Sequence, residues 1–236
     1  MEWDSPPRPA EVVESRLITA ILNHQFPIGS NLPPERELAT QLGVTRPTLR
    51  EALQRMARDG WIEIHQGRST RVRDFWREGN LGVLGAIARH QDSLPPNFVP
   101  DLLVVRLALA PAYASMAVEH NPQAVLDFLP SLDQLPDTPL AFAQADWELH
   151  HLLTVASGNP VFTLILNGFR TLYLAMAPTY FASAQARSHS RSFYADLHAA
   201  ASAEDPQSCQ VLTRRVMYES LGIWHAAAGH TPGGQP

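Results

Sequence analysis

Three sets of side chains in this sequence have the types and spacing to do chemistry. Arg46, Arg50 and Gln54 recur at i, i+4 and i+8 within TRPTLREALQRMARDG (45–60), which lines them along one flank of a helix. Arg46 and Arg50 can each present two N–H donors to guanine N7 and O6, and Thr45 and Thr48 offer hydroxyls and backbone N–H groups to phosphate. The plainer use of these arginines is a solvated face paired with Glu51. Asp146 and His150, four residues apart, could supply two metal ligands from one helix face, but two are not a site, and a structural or surface role is the stronger expectation. Val216, Ser220 and Trp224 repeat every four residues beside Glu219, setting a hydroxyl in an apolar row. That pattern fits either a core stripe, with the serine bonded back to its own helix, or one wall of a ligand site.

Two isolated residues bound the function class. Arg106 stands alone within LLVVRLALA (102–110), where a buried guanidinium needs a ligand anion or a helix-borne acid. Cys209 is the only cysteine; it can form no internal disulfide and has no base partner to make it a nucleophile. No glycine-rich phosphate loop, metalloprotease histidine pair or nucleophile elbow is present, so the expectation is a binding protein and not an enzyme.

The elements that must position these groups can be read from period and punctuation. Val13, Leu17, Ile21 and Leu22 place a helix over 10–26, ended by Pro27-Ile28-Gly29. Pro34 is expected in the first turn of a second helix with Glu35 and Glu37, closing at Gly43. Thr45 reads as the N-cap of a third helix that stops at Asp59-Gly60. WIEIH (61–65) and TRVRDF (70–75) alternate with a period of two around a Gln66-Gly67-Arg68-Ser69 turn and predict a hairpin. Helix, helix, glycine turn, helix and hairpin in that order describe a winged helix-turn-helix.

Beyond Pro95-Pro96 no alternating pattern recurs. Helical runs are expected near 101–120, 122–135, 139–157, 160–176, 184–203 and 206–228. The predicted fold is therefore mainly α. A winged helix-turn-helix domain spans 1–76 and a linker region 77–97, with a helix over NLGVLGAIARHQDS (80–93). An all-α helical-bundle ligand-binding domain spans 98–230, and a frayed tail 231–236. No cationic leader and no run near ~20 apolar residues are evident, so a cytoplasmic protein with no membrane partner is expected.

The net charge of −5 argues against a nucleic-acid partner only as an average. Between residues 36 and 73 eight arginines face Glu37, Glu51, Asp59 and Glu63, an excess of four positive charges; residues 77–236 carry eight arginines against thirteen acids. The chain has no lysine, so every fixed side-chain cation is a planar guanidinium suited to phosphate or guanine.

With these residues in place, PPERELATQLGVTRPTLREALQRMARDGWIEIHQGRSTRV (33–72) resembles the DNA-binding domain of the GntR superfamily. Met56-Ala57-Arg58-Asp59-Gly60-Trp61 and the run into Asp74-Phe75-Trp76 resemble its FadR-type branch. The likeness continues through Ala156-Ser157-Gly158-Asn159-Pro160, Leu164-Ile165-Leu166-Asn167-Gly168, Leu172-Tyr173, Tyr180-Phe181-Ala182 and Phe193-Tyr194. The resemblance implies DNA contacts by Arg36, Thr45, Arg46, Thr48, Arg50 and Gly67, with Gln66 standing where the branch carries a wing histidine and His65 one residue earlier.

It further implies a homodimer on palindromic operator DNA, released by long-chain acyl-CoA as effector. Such a regulator represses fatty acid degradation genes, activates unsaturated fatty acid synthesis genes and needs no cofactor. The implied acyl-CoA contacts are Arg106, Tyr173, Tyr180, Glu219, Ser220 and Trp224, with Met217 and Tyr218 departing from the branch's glycine and histidine. The rival within the superfamily is a repressor whose effector is a small carboxylate held by a metal. Against it, Ala195 and Tyr218 occupy the positions of the later histidine ligands, leaving only His198, a turn away, to complete a site with Asp146 and His150.

Overall fold

A computed structural model describes residues 7–65, 67–89 and 97–228, and the chain divides into two compact units, 1–94 and 95–236. Eleven α-helices and one small sheet are found among the described residues. Gln66 and the tail 231–236 lie outside them, as do residues 90–96 of the expected linker.

In the first unit, helix α1 (Pro9–Leu22) buries Val13, Leu17, Ile18 and Ile21. It ends four residues before the expected 26, because Asn23 caps it and His24 takes a positive φ of 58°. Helix α2 (Glu35–Leu42) starts after Pro34, which serves as N-cap instead of occupying the first turn, and it closes on left-handed Gly43. Helix α3 (Arg46–Asp59) runs from Thr45, whose side chain accepts from the Thr48 N–H, to left-handed Gly60. Its inner face, Leu49, Ala52, Leu53 and Met56, is fully buried against α1 and α2.

The wing is shorter than its alternation suggested. Strands β1 (Ile62–Glu63) and β2 (Arg71–Val72) pair antiparallel, Ile62 with Val72 and Glu63 with Arg71. The other edge of β2 is covered by residues 29–32, through Gly29 N to Val72 O at 2.9 Å, Val72 N to Ser30 O at 2.8 Å and Leu32 N to Thr70 O at 2.8 Å. The connection between α1 and α2 thereby becomes a third strand in all but length and ties the wing to the helices.

After the wing, the single turn α4 (Phe75–Glu78) packs Phe75 on Trp61 in a tilted arrangement, with ring centroids 4.5 Å apart. Helix α5 (Leu81–Ala88) follows and buries Val83, Ala86 and Ile87. Asn80 joins α5 to the end of α3: its side chain donates to Arg58 O at 2.9 Å and accepts from Gly82 N at 2.7 Å, while its N–H donates to Asp59 O at 3.1 Å.

The second unit is all-α, comprising α6 (Phe98–His120), α7 (Pro122–Phe128) with a 3-10 turn at Leu129–Leu132, α8 (Pro139–Ala156), α9 (Pro160–Phe181), α10 (Ala184–Ser202) and α11 (Pro206–Ala228). Helix α6 packs along α11 and against α8, and α8 along α9. Against the expectation of no such run, α6 and α9 are long and apolar enough to cross a membrane, with mean hydropathy of 1.5 and 1.2. Both helices contribute apolar residues to one cavity of the second unit.

The joint between α3 and α4 leaves no room for a side chain. A Cβ on Gly60 would come within 2.7 Å of Gly79 Cα and 3.0 Å of Glu78 O, at a φ of +94°, whereas one on Gly43 would meet nothing within 4 Å. Gly60→Ala is therefore expected to destabilise the first unit by about 2 kcal/mol or more, adding a steric clash to the backbone strain, and Gly43→Ala by about 1 kcal/mol. Thermal unfolding of the two variants checks the ranking.

Candidate functional site

Two regions collect the candidate side chains. On the outer face of the first unit, Arg36, Arg46 and Arg50 are exposed, with Thr45 and Thr48 at the start of α3. The two threonine hydroxyls lie 2.9 Å apart. Among the described residues, the guanidinium groups of Arg36 and Arg46 have no side-chain partner. Arg50 Nε donates to Glu35 Oε2 at 2.7 Å, an exposed pair that leaves both Nη groups of its fork free. Glu51 binds Arg55 at 2.5 Å, so it is not the partner of Arg46 or Arg50.

Gly67, at φ +73°, sits at the wing tip with open space where a Cβ would be, so the glycine answers to its dihedral and not to crowding. Arg68 lines the groove between the wing and α2–α3 together with Glu35, Arg50, His65 and Gly67. The position of Arg68 in a turn gave no spacing signal, and only the folded wing brings it to the same groove as Arg50.

In the second unit, a cavity of about 120 Å³ opens between α6, α9 and α11. That is roughly ten times the smallest such space able to hold one water, hence ligand-sized and not a packing defect. Leu102, Leu109, Phe162, Leu166, Phe169 and Met176 are typical of its apolar wall. Its polar groups are few. Arg106, Tyr173, Tyr180 and Trp224, four of the six residues expected at an acyl-CoA site, all line it, and so does Tyr113.

The other two expected residues are not part of the cavity lining. Ser220 is buried and donates to Val216 O at 2.9 Å, the back-bonded core arrangement. Glu219 is half-exposed and pairs with His189 Nε2 of α10 at 2.7 Å. Burial raises the pKa of Tyr180, opposed by the neighbouring Ser220 hydroxyl.

Behind the cavity wall is a buried polar cluster. Arg106 Nη2 donates to Asp146 Oδ2 at 2.6 Å and to His150 Nε2 at 2.5 Å, Tyr113 Oη lies 2.7 Å from His150 Nδ1, and Tyr173 Oη donates to Asp146 Oδ2. Asp146 and His150 are each 2 % exposed, whereas Arg106 and Tyr173, on the cavity side, are only partly buried. Burial works against both members of the ion pair, and their mutual attraction wins: the Arg106 pKa is raised and that of Asp146 lowered. His150 is different. Burial, reinforced by the Arg106 charge, pushes it down to about 3, so the ring is neutral. Arg106 and Asp146 thus cancel, and the cluster carries no net charge.

The cluster also tests a metal site. A guanidinium nitrogen already bridges the carboxylate oxygen and the imidazole nitrogen that would hold a cation, and no group of three metal-ligating side chains occurs among the described residues. These residues do not fit a metal.

The neutral His150 has a pH consequence. Its folded pKa lies below the ordinary 6.5, so the unfolded chain takes up a proton that the folded one refuses, and stability falls as pH drops from 6.5 towards about 3. The slope should approach about 1.4 kcal/mol per pH unit, with Asp146 adding a loss only below the ordinary carboxylate value. His150→Phe should flatten the decline between pH 6.5 and 4, read by denaturant unfolding at a series of pH values; an unchanged slope would count against a neutral buried imidazole.

Comparison with known proteins agrees with this division of the chain. The family of bacterial regulatory proteins named gntR matches residues 9–72, and the FadR C-terminal domain matches residues 73–234. The fatty acid metabolism regulator protein of Pectobacterium carotovorum subsp. carotovorum (strain PC1) is 40% identical over 224 residues, covering 95% of this chain and 94% of that protein. The protein of the same name from Shewanella putrefaciens is 41% identical over 216 residues, covering 92% and 91%. Among solved structures, that of Lar, which controls expression of the Listeria monocytogenes agr system, aligns with a TM-score of 0.62 at 14% identity over 94% of this chain and 99% of that one, a likeness of fold alone. The chain belongs to the GntR family of bacterial transcription regulators and, by its C-terminal domain, to the FadR branch concerned with fatty acid metabolism.

Proposed function

We propose that the protein binds a palindromic operator as a homodimer and is released from it by long-chain acyl-CoA, repressing fatty acid degradation and activating unsaturated fatty acid synthesis. The observation that carries the effector assignment is the cavity of the second unit, apolar except for one corner whose charge is already balanced. A small carboxylate would need a free cation or a metal. Arg106 is committed to Asp146 and His150, whereas a fatty chain needs only apolar wall. Arg106, Tyr173, Tyr180 and Trp224 face the chain, while Glu219 and Ser220 on α11 belong to the headgroup side of the same site. The cytoplasm is the compartment where operator and acyl-CoA meet.

On DNA, Arg46 and Arg50 read base edges from α3. Arg36, Thr45 and Thr48 hold phosphates, and Gln66 and Gly67 bring the wing to the adjacent groove. Ligand and operator favour different conformations of the dimer, so by linkage each weakens the other by the same factor.

The test is a titration of the full-length protein on an operator selected from random-sequence duplexes, with palmitoyl-CoA, palmitate and CoA as separate additions. Release by palmitoyl-CoA alone is expected; indifference to all three overturns the effector assignment and leaves DNA binding standing. Arg46→Ala should cost about 1 to 3 kcal/mol of discrimination between operator and random DNA if it is bidentate to guanine. Equal losses on both DNAs would reassign Arg46 to phosphate.

A further inference from the structure

The hydrogen bonds of the buried cluster have a direction, and it ends at Tyr113, a residue of the cavity wall. Guanidinium groups have donors only, so His150 Nε2, 2.5 Å from Arg106 Nη2, must be an unprotonated acceptor. A neutral imidazole then carries its proton on Nδ1 and gives it to Tyr113 Oη at 2.7 Å. Tyr113 is therefore an acceptor towards His150, and its own hydroxyl proton must go elsewhere. Among the described residues no acceptor takes it. Tyr173 is in the opposite position, its proton spent on Asp146.

Tyr113 is 4 % exposed and lines the cavity, edge-on to Phe162 with ring centroids 5.8 Å apart. A buried donor without an acceptor is costly, and Tyr113 belongs to the wall that a ligand in the cavity would meet. The charge balance of the cluster limits what can fill the need. A carboxylate there would lie near Asp146 with no free cation to offset it, whereas a neutral oxygen would not.

We propose that the cavity seats a neutral acceptor oxygen of its acyl ligand, a carbonyl or a hydroxyl, on the hydroxyl proton of Tyr113, a proton directed there by the relay from Arg106 through His150. This rests on the acyl-ligand reading and adds to it a chemical preference: the chain is recognised by one oxygen as well as by its length. Two parts of such a ligand could supply the oxygen, the thioester carbonyl or an oxygen on the chain itself.

The test measures binding of three ligands to the full-length protein by calorimetry: palmitoyl-CoA, 3-hydroxypalmitoyl-CoA and the hexadecyl thioether of CoA, which has no acyl oxygen. Wild type should bind the thioether roughly three- to tenfold more weakly than a ligand whose oxygen reaches Tyr113. Loss on going from palmitoyl-CoA to the thioether assigns the thioester carbonyl. A gain confined to the 3-hydroxy ligand assigns an oxygen on the chain.

Tyr113→Phe should bind all three alike. Wild type that does not discriminate between the thioether and the oxygen-bearing ligands overturns the proposal without recourse to a variant, and so does discrimination that survives in Tyr113→Phe. Wild type that binds none of the three overturns the acyl reading and the subsite together.

Discussion

Arg106 carries a full positive charge into a helical domain whose apolar core is mostly alanine, leucine and aromatic rings. Removing such a charge from water costs several kcal/mol, and only close, well-bonded partners offset it. The partners come from three other places in the chain: Asp146 and His150 on α8, Tyr173 on α9, and Tyr113 two turns further along α6 through His150. Satisfying one guanidinium therefore fixes the mutual placement of α6, α8 and α9. Those contacts hold the walls of the cavity, and the apolar packing of the remaining lining residues follows from that placement. The same charge, once neutralised, decides what the cavity can take, because an ion pair closed on itself offers no attraction to an anion.

The first unit is organised by backbone needs more than by charge. Thr45 supplies the hydroxyl that begins α3, and Gly43 and Gly60 supply the left-handed residues that end α2 and α3. Each is local, involving atoms only a few residues apart, and each was legible before folding. So were most elements of the second unit, where periodicity placed the helices to within a few residues, apart from α7, expected to run to 135 but ending at Phe128 with a 3-10 turn to Leu132, and the extension of α9 through Pro178 to Phe181.

Pairing across the fold was not legible. Arg106 called for an acid, but nothing in its neighbourhood pointed to Asp146, forty residues away, because the match is made by the packing of α6 on α8. Asp146 and His150 looked like half of a metal site since i, i+4 spacing records a shared face and not what faces it. Tyr113 drew no attention, an aromatic in an alanine-rich helix being ordinary core. The covering of β2 by residues 29–32 was hidden for a similar reason: the bonds are backbone to backbone, and the residues show no alternation. Ser220 illustrates the opposite limit, a residue singled out by likeness that the fold uses, at least in part, to satisfy its own helix.

The contact of Gly60 with Gly79 bears on mechanics. With no side chain between them, and with Asn80 bonded to the last residues of α3 on one side and capping α5 on the other, the end of α3 and the turn leading into α5 meet without a compressible layer. Side chains elsewhere absorb small displacements by changing rotamer; two glycine backbones cannot. The 8 residues of α5 make a lever about 12 Å long, so a tilt of about 10° at the joint would correspond to a movement of about 2 Å at its far end. Such a joint leaves no side-chain layer between the end of α3, the helix that carries Arg46 and Arg50, and the turn that leads into α5.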